Sequence, residues 1–425
     1  MHTANAQPTP DLTDVVPSDP VLQRLQDEVS ANNPSLSSMR EQLAASRARE
    51  SQAGAWMDPK LGIGAMNLPA NSPLDLNQEP MTGLWINASQ SIPLTGKYSS
   101  KRIVAEAMSD ATHATVDQRT ATVTDALRKA WYDWAYLRAG VASLDSTIQL
   151  VDDLLVVART KYETGSGLQS SLLRLQTERS RLTSQRVELE QNARNAGRTV
   201  AVLLGRTPDA APSAPAGLPV SFSTIDPAAM QQGAERSPAI QAAEQAVRAN
   251  DARVNLARQL WTPELMLGVG YGYRQDADNG MDRADFITVT AGITLPVFGG
   301  SKQGRAVEEA VAEKRSAEYR LRETQLYVSR QIESLVDEDN RHAEQIQLYD
   351  QGILPQASST LASTLSDYSV GRVGVEALVA AERELLNARL QRLMHLRDRA
   401  KVRSSLAALV YRTDVEQTTT QSEEK

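Results

Sequence analysis

Few residue types in this chain are equipped for chemistry, and those present are not spaced for it. The absence of cysteine removes disulfides, thiolate metal sites, thiol nucleophiles and a lipid anchor on an N-terminal Cys. His2, His113, His342 and His395 are scattered along the sequence, with none of the short spacings of a zinc site. Gly268-Val269-Gly270-Tyr271-Gly272 is only superficially like a dinucleotide loop, because a strand pattern continues through it and no helix follows. Gly299-Gly300-Ser301-Lys302 opens a helix but lacks phosphate-loop spacing, and no Gly-x-Ser-x-Gly elbow occurs. Met57, Met66 and Met81 are soft donors of the kind copper(I) takes, although loop and core methionines without a metal account for them as well. The expectation is a protein that is not an enzyme and that holds no cofactor and no resident metal.

What remains is architecture. The chain has 425 residues, only 4% aromatics and three Phe, a composition suited to long helices rather than to one large globular core. A net charge of −7 argues against a nucleic-acid partner and would suit a conduit for cations. No stretch reaches the roughly 18 to 20 apolar residues of a membrane helix, so any passage through a bilayer must use strands. Ala4-x-Ala6 has the small-residue pattern that ends a secretory signal, which suggests a start inside a truncated signal peptide; an ordinary terminus explains it equally.

The two halves repeat at an offset of about 204 residues. Asn33-Pro34 answers Ser237-Pro238, and Pro59-Lys60-Leu61 answers Pro263-Glu264-Leu265. Ser91-Ile92-Pro93-Leu94 answers Thr294-Leu295-Pro296-Val297, and Tyr162-Glu163-Thr164-Gly165 answers Tyr368-Ser369-Val370-Gly371. Each unit reads helix, strand, strand, helix, helix. The expected organisation is a flexible segment over 1–30, a first repeat over 31–205, an extended linker over 206–230, a second repeat over 231–413 and a flexible tail over 414–425.

The strand pairs are expected at 60–69 with 83–94 and at 264–275 with 286–297. Leu265, Leu267, Val269, Tyr271 and Tyr273 fall on one face, with Met266, Gly268, Gly270 and Gly272 on the other; Ile287, Val289, Ala291 and Ile293 alternate likewise with threonines and Gly292. Each run is about ten residues, enough for a tilted strand to cross a bilayer with lipid on one side and water on the other. An antiparallel sheet on a soluble core gives the same alternation. Four strands cannot close a water-filled barrel, whereas three copies would supply about twelve.

Lys97 to Ala139 and Val141 to Thr164 contain neither Gly nor Pro, so one nearly continuous helix of about 100 Å is expected. Leu144, Ile148, Val151 and Leu155 on the outgoing helix, and Leu172, Leu175, Leu182 and Val187 on the return, have coiled-coil seam spacing; Arg174, Glu178, Arg179 and Arg181 are expected on the wetter faces. The second half repeats this from Arg305 to beyond Gln351 and from Val375 onward. The hairpins turn at 165–167 and 371–374, where Gly165, Gly167, Gly371 and Gly374 free the backbone; those turns are also candidates for the end that docks partner proteins.

The duplicated unit, the strand ends Ile92-Pro93-Leu94 and Leu295-Pro296-Val297, and Tyr368-Ser369-Val370-Gly371 followed by Glu376-Ala377-Leu378 resemble the TolC family of outer membrane efflux proteins, from about Asn33 to Thr413. The resemblance implies a mainly α fold with membrane β: a homotrimer with a transmembrane β-barrel built from four strands per chain, and a long coiled-coil helical barrel in the periplasm. It implies a passive export duct in the outer membrane, working with outer membrane lipid, a periplasmic adaptor and an inner-membrane pump of the resistance-nodulation-division type. Carried over residue by residue, it makes Tyr368, Arg372 and Glu376 periplasmic gate candidates, although Val379 stands where a second acid might sit and Arg372 is displaced from the usual arginine position. Met66-Asn67-Leu68-Pro69 and Gln90-Ser91-Ile92-Pro93 are similar to the branch serving heavy-metal pumps. A periplasmic adaptor and a soluble coiled-coil scaffold are the alternatives; the first needs a single hairpin among β-rich modules, and the second leaves the glycine-rich strands unexplained.

Overall fold

The computed structural model describes residues 15–68, 70, 76, 81–276 and 280–410. His2, Ala4, Ala6, Pro69 and the expected tail at 414–425 lie outside the described residues. Helices α1 (Pro20–Asn32) and α2 (Pro34–Gly54) lead into β1 (Lys60–Met66) and β2 (Gly83–Pro93), followed by the long α3 (Lys97–Glu163) and its return α4 (Gln169–Leu203). The second repeat has α5 (Pro227–Ala234), α6 (Pro238–Arg258), β3 (Glu264–Tyr273), β4 (Phe286–Ile293) and α7 (Gln303–Leu348). A π turn at Tyr349–Ile353 then leads to α8 (Leu354–Ser369) and α9 (Val375–Val410). None of the described helices is long and apolar enough to cross a membrane.

The strands stop short of their expected ends for local reasons. Asn67 takes φ 55°, a left-handed turn that ends β1. Beyond Tyr273 the backbone N–H of Arg274 donates to the Asp285 side chain (3.0 Å) instead of to a ladder partner. Past Ile293, Pro296 has no N–H to give. Helix α3 runs its full 67 residues, about 100 Å at 1.5 Å per residue, straight through Gly140. A Cβ there would sit 2.7 Å from the Leu189 side chain, so the glycine lets α4 approach closely.

The compact units cut across the repeats instead of following them. One draws its described residues from Met1–Arg40, Thr115–Gln241 and Glu323–Lys425, the other from Glu41–Ala114 and Ala242–Arg322. In the first unit, the flexibility expected over 1–30 is corrected from Pro20 on: Pro20–Asn32 is a helix that buries Leu22, Leu25 and Val29 against Trp131, Trp134 and Val200. Asp19 caps it by accepting from the N–H of Val21 (2.9 Å) and Leu22 (3.2 Å), and Pro20 occupies the first turn, where no donor is needed. Glu28 pairs with Arg206 through two 2.6 Å contacts, and Asn33 donates to the Leu203 carbonyl while capping α2.

The linker expected over 206–230 is free of helix as far as Asp226, and then α5 begins. It is held in place: the Arg403 guanidinium, 1% exposed, donates to the Ser223 carbonyl (2.6 Å) and to Asp339 (2.8 and 3.0 Å), and Arg399 adds a second pair to Asp339. Two arginines on one buried carboxylate hold Asp339 below the usual carboxylate range despite its burial.

Candidate functional site

The second unit contains the sheet. Its order is β1-β2-β3-β4, antiparallel throughout, so the central pair joins one strand from each repeat and β1 and β4 are edges. The register aligns the expected faces across all four strands. Ile63, Ile86, Tyr271 and Ile287 form one row, Leu61, Ala88, Val269 and Val289 the next. This apolar face is bare: Ile63 is 77% exposed, Ile287 74% and Val289 77%. The opposite face carries Gly62, Asn87, Gly270 and Thr288 in one row and Lys60, Ser89, Gly268 and Thr290 in another. In the next row beyond Gly62, Trp85 lies over Gly64 and Phe286 over Gly272; a Cβ at Gly64 would be 2.7 Å from the indole. The sheet thus exposes its isoleucines and valines on one side and its threonines on the other. At the foot of the sheet Lys97 of α3 pairs with Glu264 at 2.5 Å.

The first unit contains both hairpin ends, and they are built alike. Gly165 (φ 75°) and Gly371 (φ 79°) each sit just past a helix. The following N–H groups, of Ser166 and Arg372, return to Lys161 and Asp367, and the glycine N–H groups to Tyr162 and Tyr368. This is the Schellman arrangement, for which only glycine is free of steric cost. Gly167 is required for a different reason, since a Cβ would stand 3.0 Å from the Lys161 backbone. A Cβ at Gly374 would meet only the flexible Glu376 side chain.

Of the gate candidates, Tyr368 is buried in an apolar cluster with Leu144, Val151, Leu175 and Leu378, and burial raises its phenol pKa. Arg372 is exposed and pairs with Asp367 at 3.3 Å. Glu376 is half exposed and pairs with Arg174 of α4 at 3.2 Å. A residue that sequence reasoning missed completes this end: Lys161 of α3 donates to the Tyr368 carbonyl (2.7 Å) and lies 4.4 Å from the centre of its ring. An ammonium group on the last carbonyls of α8, those of Tyr368 and Ser369, sits favourably at the negative end of that helix dipole. Lys161 and Arg174 therefore both tie the first-repeat hairpin to the second.

Deeper in the same coiled coil two expectations are corrected. Val187 is exposed, and Leu189 packs in its place. Glu178, expected on a wet face, is 1% exposed and is held by Arg181 (2.9 Å) and Arg383 (3.1 Å), which lower its pKa. Next to it on α9 Glu382 is 3% exposed, and neither carboxyl oxygen has a partner among the described residues. Burial, and then the charge of Glu178, push its pKa up to about 7.

His342 and His395, far apart in sequence, are in contact. Among the described residues, no group of three or more His, Cys, Asp or Glu is arranged to hold a metal.

The model of the family described as outer membrane efflux protein matches residues 25–206 and again 229–410. The chain is 27% identical over 282 residues to the nickel-cobalt-cadmium resistance protein NccC of Alcaligenes xylosoxydans xylosoxydans, covering 65% of this chain and 60% of that protein. It is 25% identical over 293 residues to the pyoverdine export outer membrane protein OpmQ of Pseudomonas putida, covering 64% and 61%. The chain thus spans less than two thirds of these curated relatives. In fold it is similar to a membrane protein from Pseudomonas aeruginosa, with TM-score 0.80 and 17% identity over 96% of this chain and 99% of that one.

Proposed function

The chain belongs to the outer membrane efflux protein family, and from that premise we propose that it is one subunit of a homotrimeric duct that passes small solutes or metal cations across the outer membrane. The observation that carries the reading is the four-stranded sheet, with one continuous bare apolar face, one small polar face and two unpaired edges. An open edge in lipid leaves backbone groups without partners, so β4 of one copy must pair with β1 of the next, and about twelve strands from three copies close the ring.

The partners are outer membrane lipid, a periplasmic adaptor and an inner-membrane pump of the resistance-nodulation-division type, with the turns at Gly165–Gly167 and Gly371–Gly374 as the docking end. Similarity to a nickel-cobalt-cadmium resistance protein favours metal cations among the cargoes, and similarity to a pyoverdine exporter favours a small organic chelate.

Gating falls to the hairpin end. Tyr368, Arg372 and Glu376 lie on the second-repeat hairpin, and the pairs Lys161–Tyr368 and Arg174–Glu376 hold it to the first. Separating the hairpins breaks both. In the trimer, Glu376 forms a ring of three carboxylates that favours cations. Reconstitution of the purified protein in planar bilayers tests both parts. Ion conduction by a detergent-stable trimer is expected, with cation selectivity reduced in Glu376→Gln; a monomer without conductance overturns the duct, and unchanged selectivity overturns the ring.

A further inference from the structure

His342 on α7 and His395 on α9 face each other with Nδ1 to Nδ1 at 3.1 Å and ring centroids 5.3 Å apart. They are 3% and 9% exposed. The other nitrogen of His342, Nε2, is 3.2 Å from Nη2 of Arg341. A guanidinium only donates, so Nε2 must accept, and the ring proton of His342 sits on Nδ1. That N–H points at Nδ1 of His395, which is therefore a lone pair, and His395 keeps its own proton on Nε2. Donors run one way, from Arg341 to His342 to His395, and both rings are neutral.

A second proton has no good place. On His395 it sets N–H against N–H at 3.1 Å; on His342 it sets N–H against the guanidinium. The remaining charged groups around the pair are Glu338, 3.9 Å from His342 and paired with Arg341, and Asp398, paired with Arg397; Tyr349 stacks 5.6 Å from the His395 ring. Burial is the main cause that lowers both pKa values; the charge of Arg341 adds to it for both rings, and the charge of Asp398 opposes it. The pair adjoins the π turn at Tyr349–Ile353, where the α7 ladder breaks two residues before Pro355 and where Arg392 of α9 pairs with Asp350.

We propose that the His342–His395 contact is a proton-operated fastener: it holds α7 to α9 beside the π turn at neutral pH, and proton uptake in mildly acid medium parts the helices there and frees α8 to bend. Its chemistry is independent of the duct reading, on which only its consequence for gating rests. A shared metal ion would also fit two imidazole nitrogens at this separation, but it needs the Nδ1 lone pair of His342 while Arg341 takes the one on Nε2, and no third ligand completes the set among the described residues.

Hydrogen exchange over residues 343–360 of the full-length protein in detergent, corrected for intrinsic rates between pH 7.5 and 5.5, tests it. Opening linked to one proton gives up to about a tenfold rise in exchange per pH unit. The His342→Gln/His395→Gln protein should show no rise, and Arg341→Gln, which frees Nε2 to take a proton while Nδ1–H still donates to His395, should shrink the rise. A flat wild-type profile, an unchanged rise in the double variant or an undiminished rise in Arg341→Gln each overturns the fastener, as does slowed exchange at neutral pH on adding micromolar zinc. A flat profile from a preparation that conducts ions refutes the fastener alone, whereas a pH-dependent profile from one that never conducts refutes the duct.

Discussion

Replacing Glu382 by Gln should stabilise the protein at pH 8 and leave it nearly unchanged at pH 5. The carboxyl is 3% exposed, lies beside Glu178 and finds no partner among the described residues. Its pKa is about 7 in the fold against 4.5 in the unfolded chain. Between those values the folded state holds a proton that the unfolded state has released, so stability falls as pH rises through this window and is level on either side. At 1.36 kcal/mol per pH unit the displacement corresponds to about 3 kcal/mol, and screening through the half-exposed Arg383 reduces this to about 2 kcal/mol. Gln keeps the shape of the protonated acid and cannot ionise. With an unfolding entropy of about 2.1 cal/mol/K per residue, a chain of this length gains about 1 °C per kcal/mol. Thermal unfolding in detergent should therefore show Glu382→Gln melting about 2 °C above wild type at pH 8 and level with it at pH 5. An equal difference at both pH values would refute the reasoning, and a wild type that is the more stable at pH 8 would mean that the ionised carboxylate has a partner.

Gly371→Ala should cost about 1 kcal/mol from its positive φ alone, since nothing lies within 4 Å of the new methyl group. Melting should drop by about 1 °C, and a drop as large as that of a buried cavity mutant would show a packing role instead. Lys161→Met removes the ammonium group from the Tyr368 carbonyl and ring while keeping the stem, so single-channel recordings should show a higher open probability; an unchanged one would remove Lys161 from the gate.

The legible parts of the sequence are those with a period. Alternation over Leu265–Tyr273 and Ile287–Ile293 was enough to assign the faces, because a strand's side chains obey a local rule, and the register then carried the same faces across β1 and β2. The paired glycines at 165 and 371 likewise encode their turns locally. Helix α1 had a signal that went unread: Asp19-Pro20 followed by Leu22, Leu25 and Val29 at helical spacing is a start sequence with an apolar stripe. What no local rule contains is charge placed by tertiary contact. Glu178 sits inside because Arg383, 205 positions away, reaches it, and His342 meets His395 only because α7 and α9 pack together. Lys161 is in the same class, since the acceptors it caps belong to the other repeat.

The chain has no cysteine, so single cysteines placed along β4 can be spin-labelled without background. The most direct test of the two-faced sheet is the accessibility of labels at 287, 288, 289 and 290 in the reconstituted protein, read with oxygen, which concentrates in lipid, and with a water-soluble nickel chelate. Labels at 287 and 289 should be relaxed by oxygen and those at 288 and 290 by nickel; four labels equally open to nickel would contradict the account.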